Sequence, residues 1–391
     1  MPDPHSQPLA CVIGDMDLVR PLGLAGIRSA VLAQPGELSR YSRFTATALD
    51  WADSSKEPAR LLDILLEFGR RQSEPPILYY GRDWDLLLVS RERERLRESF
   101  RFAVADRELV EQLVDKARFQ ELAERLELPL PASRRLSPHA AGPTDVDLQF
   151  PLIAKPLTRR NETWKPIAGG GKAVEARTPA ALRELWPRLA AAGVDVLVQE
   201  LIPGPETRVE SYHVYVDGRG EISGEFTGRK IRTYPPAYGY STAVEITDRA
   251  DVAELGRDVV GRLGLRGVAK LDFKRAPDGR LRLLEVNPRF NLWHHVGAKA
   301  GVNLPALVYA DLAGTPRPPA GRARAGVRWC YHRNDARAAK AHGIPLARWL
   351  PWALSCEAKS AVAWDDPMPI VRGSLARLAQ RARSSRAGAR R

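Results

Sequence analysis

Cysteine is scarce. Cys11, Cys330 and Cys356 are odd in number, far apart and form no CxxC pair, which excludes a disulfide-built scaffold and a cysteine-rich zinc site and suits a reducing compartment. The seven histidines are scattered and only His294 and His295 are adjacent, so no Cys/His metal cage is expected. No apolar run approaches the roughly 18 residues that a membrane span needs; the stretch Leu86–Val89 breaks at once into charge. The first residues, Met1-Pro2-Asp3-Pro4-His5, lack the basic start and apolar stretch of a secretory leader, and the expected location is the cytoplasm. Lysine is sparse too, 11 residues against 49 arginines. A chain that favours arginine this strongly keeps lysine where a compact point cation is useful.

What is present describes a globular chain of several units. Its 391 residues, 44% apolar and 27% charged, are enough for two or three packed cores. The net charge is 60 − 47 = +13, and the segment Arg372–Arg391 supplies +7 of it through seven arginines and no acid. Such a block reads as a solvated tail or as a contact for an anionic partner. A nucleic-acid function is not expected from it.

Ala10-Cys11-Val12-Ile13-Gly14, the helical spacing of Leu18–Leu24 and the run Ser29–Ala33 read as strand, helix, strand. Leu61–Arg71 then predicts an amphipathic helix, Pro76–Tyr80 a buried strand, and Leu109–Leu126 a helical segment interrupted near Asp115-Lys116. This alternation predicts a mostly parallel sheet with helices on its faces. Gly14 lacks the rest of a GxGxxG fingerprint, so dinucleotide binding is not expected. A second unit holds a strand at Pro151–Pro156, a helix at Pro179–Ala192 and a strand at Asp195–Glu200. A third runs through Glu206–Val216, Gly220–Arg229, Val252–Leu263, Gly267–Lys274 and Leu281–Asn287, with the tight turns Asp217-Gly218 and Asp278-Gly279 marking antiparallel strands. Beyond Gly314, prolines mark a linker, and Trp349, Trp352 and Trp364 predict a small docked cap.

Three segments carry chemistry. Asp272 and Glu285 lie on two strands joined by a tight hairpin, and Asn287 shares a strand face with Glu285. Two carboxylates and an amide oxygen form a hard oxygen site suited to magnesium or manganese beside phosphates; a solvated hairpin is the plainer alternative. Ala168-Gly169-Gly170-Gly171-Lys172 fits a backbone cradle for phosphate with a mobile cation, or a simple flexible turn. Gln199-Glu200-Leu201-Ile202-Pro203-Gly204-Pro205-Glu206 is a strand running into a turn whose backbone could read a purine edge, or an ordinary linker.

In their joint order, Lys116, Lys155-Pro156, Gly169–Lys172, Gln199–Glu206, Lys230, Asp272 and Glu285-Val286-Asn287-Pro288-Arg289 resemble the ATP-grasp superfamily over about 113–314. The spacing of Asp272, Glu285 and Asn287 is similar to that of D-alanine–D-alanine ligases. Gly228-Arg229-Lys230-Ile231-Arg232, Phe273-Lys274-Arg275 and Asn287-Pro288-Arg289 resemble the carboxylate–amine ligase branch that includes D-aspartate ligase. The resemblance implies an α/β fold: a parallel-sheet domain over 1–112, a two-lobed ATP-grasp domain over 113–315 (lid about 132–198, catalytic lobe about 199–315), and a linker, cap and basic tail over 316–391. It implies ATP and Mg2+ (or Mn2+), with Lys116, Lys155, Gly169, Gly170, Gly171, Lys172 and Lys230 toward the phosphates. Gln199, Glu200, Leu201 and Ile202 would surround the adenine, with Glu206 on the ribose. Asp272, Glu285 and Asn287 would be metal ligands, Arg289 would face the phosphoryl group or substrate carboxylate, and Lys270 would stabilise an oxyanion where the D-alanine–D-alanine ligases carry arginine. The implied reaction is ADP-forming joining of a small carboxylate to an amine through an acylphosphate, by a chain compatible with a homodimer. Alternatives are carboxyphosphate chemistry and a non-catalytic ATP-binding sensor. Trp293, His294, His295 and Tyr238-Gly239-Tyr240 stand as core or pocket residues, and Asp15, Asp17 and Arg82-Asp83 as acceptor-side loop residues or helix caps.

Overall fold

The computed structural model describes residues 7–138, 146–157, 161–169, 171–319, 321–361 and 363–376. Gly170 and most of the basic tail lie outside the described residues.

Strands β1 (Ala10–Ile13), β2 (Ser29–Leu32), β3 (Thr45–Leu49) and β4 (Ile77–Tyr80) form a parallel sheet in the order β3-β2-β1-β4. The inner strands β1 and β2 and the edge strand β4 are buried along their whole length, because both faces are covered and the strands need no polar alternation. Asp106 caps the helix Arg107–Val114, and Asp115 caps the next, Lys116–Arg125, each accepting two backbone N–H groups. That second cap produces the interruption read from sequence and puts Lys116 at the first turn of its helix.

A second, antiparallel sheet consists of β5 (Ser133–Leu136), β6 (Leu152–Pro156), β7 (Val174–Ala176) and β8 (Val196–Glu200), ordered β5-β8-β6-β7. The helix Pro179–Ala192 crosses it, started by Thr178 and proline and stopped by Gly193 in the left-handed region at φ 60°. This lid sheet has a core of its own, built from Leu152, Ala154, Trp164, Leu185, Leu189, Val196 and Val198 among others.

The large sheet contains β9 (Val209–Val216), β10 (Ile222–Tyr234), β11 (Tyr240–Thr247), β12 (Gly267–Arg275), β13 (Leu281–Asn287), β14 (Arg328–Cys330) and β15 (Ala358–Lys359), ordered β13-β12-β9-β10-β11-β14-β15. Alternate residues of β1 enter two different cores: Cys11 and Ile13 join Leu271, Phe273 and Leu283 on one side, while Ala10 and Val12 join Trp293, Leu307 and Trp329 on the other. The first and third sheets thus share both of their cores. The C-terminal region is tied into the same body, since β14 pairs with β11 and Asp335 receives a bidentate pair from Arg232 and a bond from Trp349. Of the tryptophans expected in a cap, Trp349 is buried and Trp364 is 88% exposed.

Candidate active site

A cavity of about 670 Å³ lies between the lid sheet and the large sheet, with one wall from the helices of the first domain. The lid contributes Lys155 on β6 and Gln199 on β8, neighbouring strands that let Lys155 Nζ donate to Gln199 Oε1 at 2.8 Å. Glu200, Leu201 and Ile202 continue the wall. The N–H groups of Glu200 and Leu201 go to the carbonyls of Ala132 and Pro151, which pins this turn against the lid's edge. Lys116 lines the cavity from its helix and donates to the carbonyl of Pro156.

The large sheet supplies the opposite wall. Asp272 and Glu285 are direct partners across β12 and β13, and Lys270 is the partner of Asn287. Asp272 is 2% exposed; its Oδ1 accepts from Ser211 and its Oδ2 from Lys270 Nζ at 2.6 Å. A carboxylate offers about four lone-pair sites, so these two bonds orient Asp272 without exhausting it. The donors at Asp272, Glu285 and Asn287 are all oxygen, and the two carboxylates are adjacent, a set that fits magnesium or manganese. Lys230, on β10, donates to Glu206 at 3.4 Å. Burial pulls the Lys230 ammonium down, but Asp272, Glu206 and Glu285 outweigh it and hold the group above its ordinary range.

The glycine loop meets the β10–β11 hairpin. The Lys172 N–H donates to the Tyr238 carbonyl at 3.0 Å, the Trp164 indole donates to the Gly171 carbonyl at 3.1 Å, and Lys172 Nζ sits 4.6 Å from the Tyr240 ring centre. Gly171 and Lys172 line the cavity. Gly169, at φ 59°, has open space around it, which suits a turn that a side chain would strain.

Lys270 and Arg289 stand behind the wall and reach it through partners. Lys270 does so through Asp272; Arg289 bonds Asp83 and Asn287, which line the cavity, and the Gly81 carbonyl. Asp83 belongs to the first domain, so this guanidinium bridges the parallel sheet and the large sheet. The sequence reading left Lys274 without a role, yet it lines the cavity, and burial pushes its ammonium down against the pull of Glu206. Ser211 was missed as well. Its signal was a polar run, Glu210-Ser211 and His213, inside the wholly buried strand β9.

Several candidates lie away from the cavity. Trp293, His294 and His295 are core residues, 1%, 0% and 2% exposed; Trp293 and Phe226 flank His213 at 5.0 and 4.5 Å. Asp15 caps the helix Met16–Leu24. Asp17 is buried, accepting from Trp329 and Ser360. Tyr238 and Tyr240 do line the cavity, Tyr238 donating to Glu175 at 3.1 Å.

Lysines on both sheets facing a carboxylate pair make a place for a polyanion that brings its own counter-cation. Comparison with known proteins agrees. Residues 193–333 match a family model described as ATP-grasp in the biosynthetic pathway with Ter operon. The chain is similar to D-aspartate ligase from Enterococcus faecium, 24% identical over 233 residues, covering 57% of this chain and 55% of that protein. It is also similar to D-alanine–D-alanine ligase from Stutzerimonas stutzeri, 28% identical over 221 residues, covering 51% and 64%. The matches thus span between half and two thirds of these relatives' lengths. In fold it resembles an ADP complex of N5-carboxyaminoimidazole ribonucleotide synthetase, with a TM-score of 0.62, 14% identity, and 82% of this chain and 80% of that one covered. The parallel N-terminal sheet, the two sheets facing one cavity and these partial matches point the same way: the chain resembles ATP-grasp ligases over part of its sequence and shares the fold of the solved synthetase over most of its length.

Proposed function

We propose that this chain is an ATP-dependent ligase that activates a carboxylate as an acylphosphate, releases ADP and joins the acyl group to an amine. The observation that carries the reading is the cavity itself, in which lysines from two sheets face the adjacent carboxylates Asp272 and Glu285.

In this reading Lys116, Lys155, Lys172 and Lys230 hold the phosphates, Ile202 and its neighbours bound the adenine, and Glu206 takes the ribose. Asp272, Glu285 and Asn287 would hold magnesium, which when bound neutralises charge on the phosphate oxygens. The substrate carboxylate oxygen attacks the γ-phosphorus; a new O–P bond forms as the bond to the bridging oxygen breaks, and ADP leaves. The amine nitrogen then attacks the acyl carbon, the C–O bond to phosphate breaks, and the amine's surplus proton passes to solvent. Both steps gather negative charge where the lysines already stand, so little reorganisation is required. Closure of the Gly171–Lys172 loop on Tyr238 and Tyr240 would keep water from the acylphosphate. The ion pair of Lys270 with Asp272 supports a positioning role for Lys270 over direct oxyanion contact. Arg289, bonded to Asp83 and Asn287 behind the wall, is the candidate to position those cavity-lining groups toward the substrate. A cytoplasmic setting, where ATP is plentiful, belongs to the same proposal.

The test is purified protein with ATP and magnesium, scanned against pools of carboxylates and amines, with Glu285→Ala as control. ADP and phosphate appearing only with a particular acid and amine, and vanishing in the variant, support the ligase. AMP and pyrophosphate would refute acylphosphate chemistry. Turnover that requires bicarbonate alone would point to carboxyphosphate chemistry, and tight ATP binding without turnover in any pool would favour a sensor.

A further inference from the structure

A second cavity, of about 190 Å³, shares no residue with the first. It opens where three parts of the chain meet: Arg20 and Phe44 from the first domain, His295 and Lys299 from the helix His294–Lys299, and Glu357, Lys359, Trp364 and Asp365 from the C-terminal region. Arg20 is 3% exposed. Its Nε and Nη2 find no hydrogen-bond partner among the described residues, and Asp366, the nearest carboxylate, stands 4.0 Å from Nη2. His295 Nδ1 makes no hydrogen bond either, with Asp17 Oδ1 3.8 Å away. A buried guanidinium with two idle donors is costly, and a carboxylate is the group that satisfies both at once.

The rest of the wall narrows the ligand. Lys299 and Lys359 add positive charge, but Glu357 and Asp365 share the same small space. A phosphate dianion would be repelled by that pair, whereas a molecule carrying both a carboxylate and an ammonium group meets partners of both signs. Phe44, Leu24 and Trp364 give apolar surface for a side chain. At 190 Å³ the cavity falls below the roughly 300 Å³ where drug-sized pockets begin. We infer that this junction is a binding site for a free amino acid, its carboxylate on Arg20, separate from the ATP cavity. Because the site touches all three parts of the chain, its occupant would clamp the C-terminal region to the first domain.

The test uses the full-length protein and individual amino acids, L- and D-forms, with acetate and inorganic phosphate as comparison probes, read by tryptophan fluorescence and thermal shift. Trp364 lines the cavity, so binding there changes fluorescence, and Trp364→Phe removes most of that change. Arg20→Gln should weaken binding about tenfold or more. Since Arg20 is buried and its loss could disturb folding, the exposed Lys299 provides a second variant, Lys299→Glu, expected to weaken binding by about threefold or more. Glu285→Ala, in the other cavity, should leave this binding intact, so failure of the ligase reading and failure of this one remain distinguishable. Binding of phosphate or acetate with no amino acid bound would overturn the inference. So would amino-acid binding that Glu285→Ala abolishes while Arg20→Gln and Lys299→Glu leave it unchanged, or no binding of any probe.

Discussion

The lid sheet and the parallel sheet meet the large sheet in opposite ways. Leu185, Leu189 and Val196 of the lid are buried only among residues of the lid itself, whereas Cys11, Ile13 and Leu78 of the parallel sheet are buried together with Leu271, Phe273 and Leu283 of the large one. An element with a separate core can swing without exposing apolar surface; one that shares a core cannot. The first domain and the large sheet therefore form a fixed floor, and in the ligase reading proposed above the lid is the part that would open for ATP. The lid's tether is narrow: the Lys172 N–H to the Tyr238 carbonyl, Tyr238 to Glu175, Lys116 to the Pro156 carbonyl, and one small apolar cluster in which Ala117 meets Leu157 and Leu197.

The comparison can be broken most decisively on the floor. Glu285→Ala should lower kcat for ADP formation by about a thousandfold, the scale of losing a preorganised electrostatic partner, without moving the melting temperature; steady-state kinetics beside calorimetry checks it. Next come the cores. Leu189→Ala and Leu271→Ala should each cost about 2–5 kcal/mol, but the first should lower only an early lid transition and the second the main one. A single transition shifted equally by both would show the lid and floor to be one cooperative unit. Lys172→Ala should act on closure, raising KM for ATP about 10- to 100-fold, the equivalent of about 1.5–3 kcal/mol, with a smaller effect on kcat than Glu285→Ala.

The smallest effect concerns acid. Burial pushes His294 and His295 from the ordinary 6.5 down to about 3. Between those values the unfolded chain binds protons that the folded chain refuses, so stability falls as pH drops from about 6.5 toward 3 and levels off below. Each imidazole should contribute up to about 2 kcal/mol of loss at pH 5. Urea titrations at pH 7 and pH 5 should show His294→Phe, in the floor, with a smaller pH dependence than the wild type.

Much of this arrangement could be read from the chain. Asp115 marks a helix start because its side chain caps locally, and the Asp272–Glu285 pairing follows from a tight turn and strand alternation. β11 escaped notice, and β10 was read as ending at Arg229 although it continues through Lys230 and Arg232 to Tyr234. Those polar strand residues pay for their burial through partners distant in sequence, Glu206 for Lys230 and Asp335 for Arg232. His294 and His295, read from sequence as core or pocket residues, are core, because the helix they begin is covered by the first domain.

The sequence by itself determined the parallel first sheet, the oxygen-donor hairpin and the ordered set of lysines, since each depends on periodicity, caps and turns within a few residues. Only the tertiary structure decided that Arg289 is held by Asp83 from 206 residues away, that Asp272 is aimed by Ser211 and Lys270, and that Arg20 lines a second cavity. Those contacts come from sheets and helices closing on shared cores, and no local pattern records which distant side chains that closure brings together.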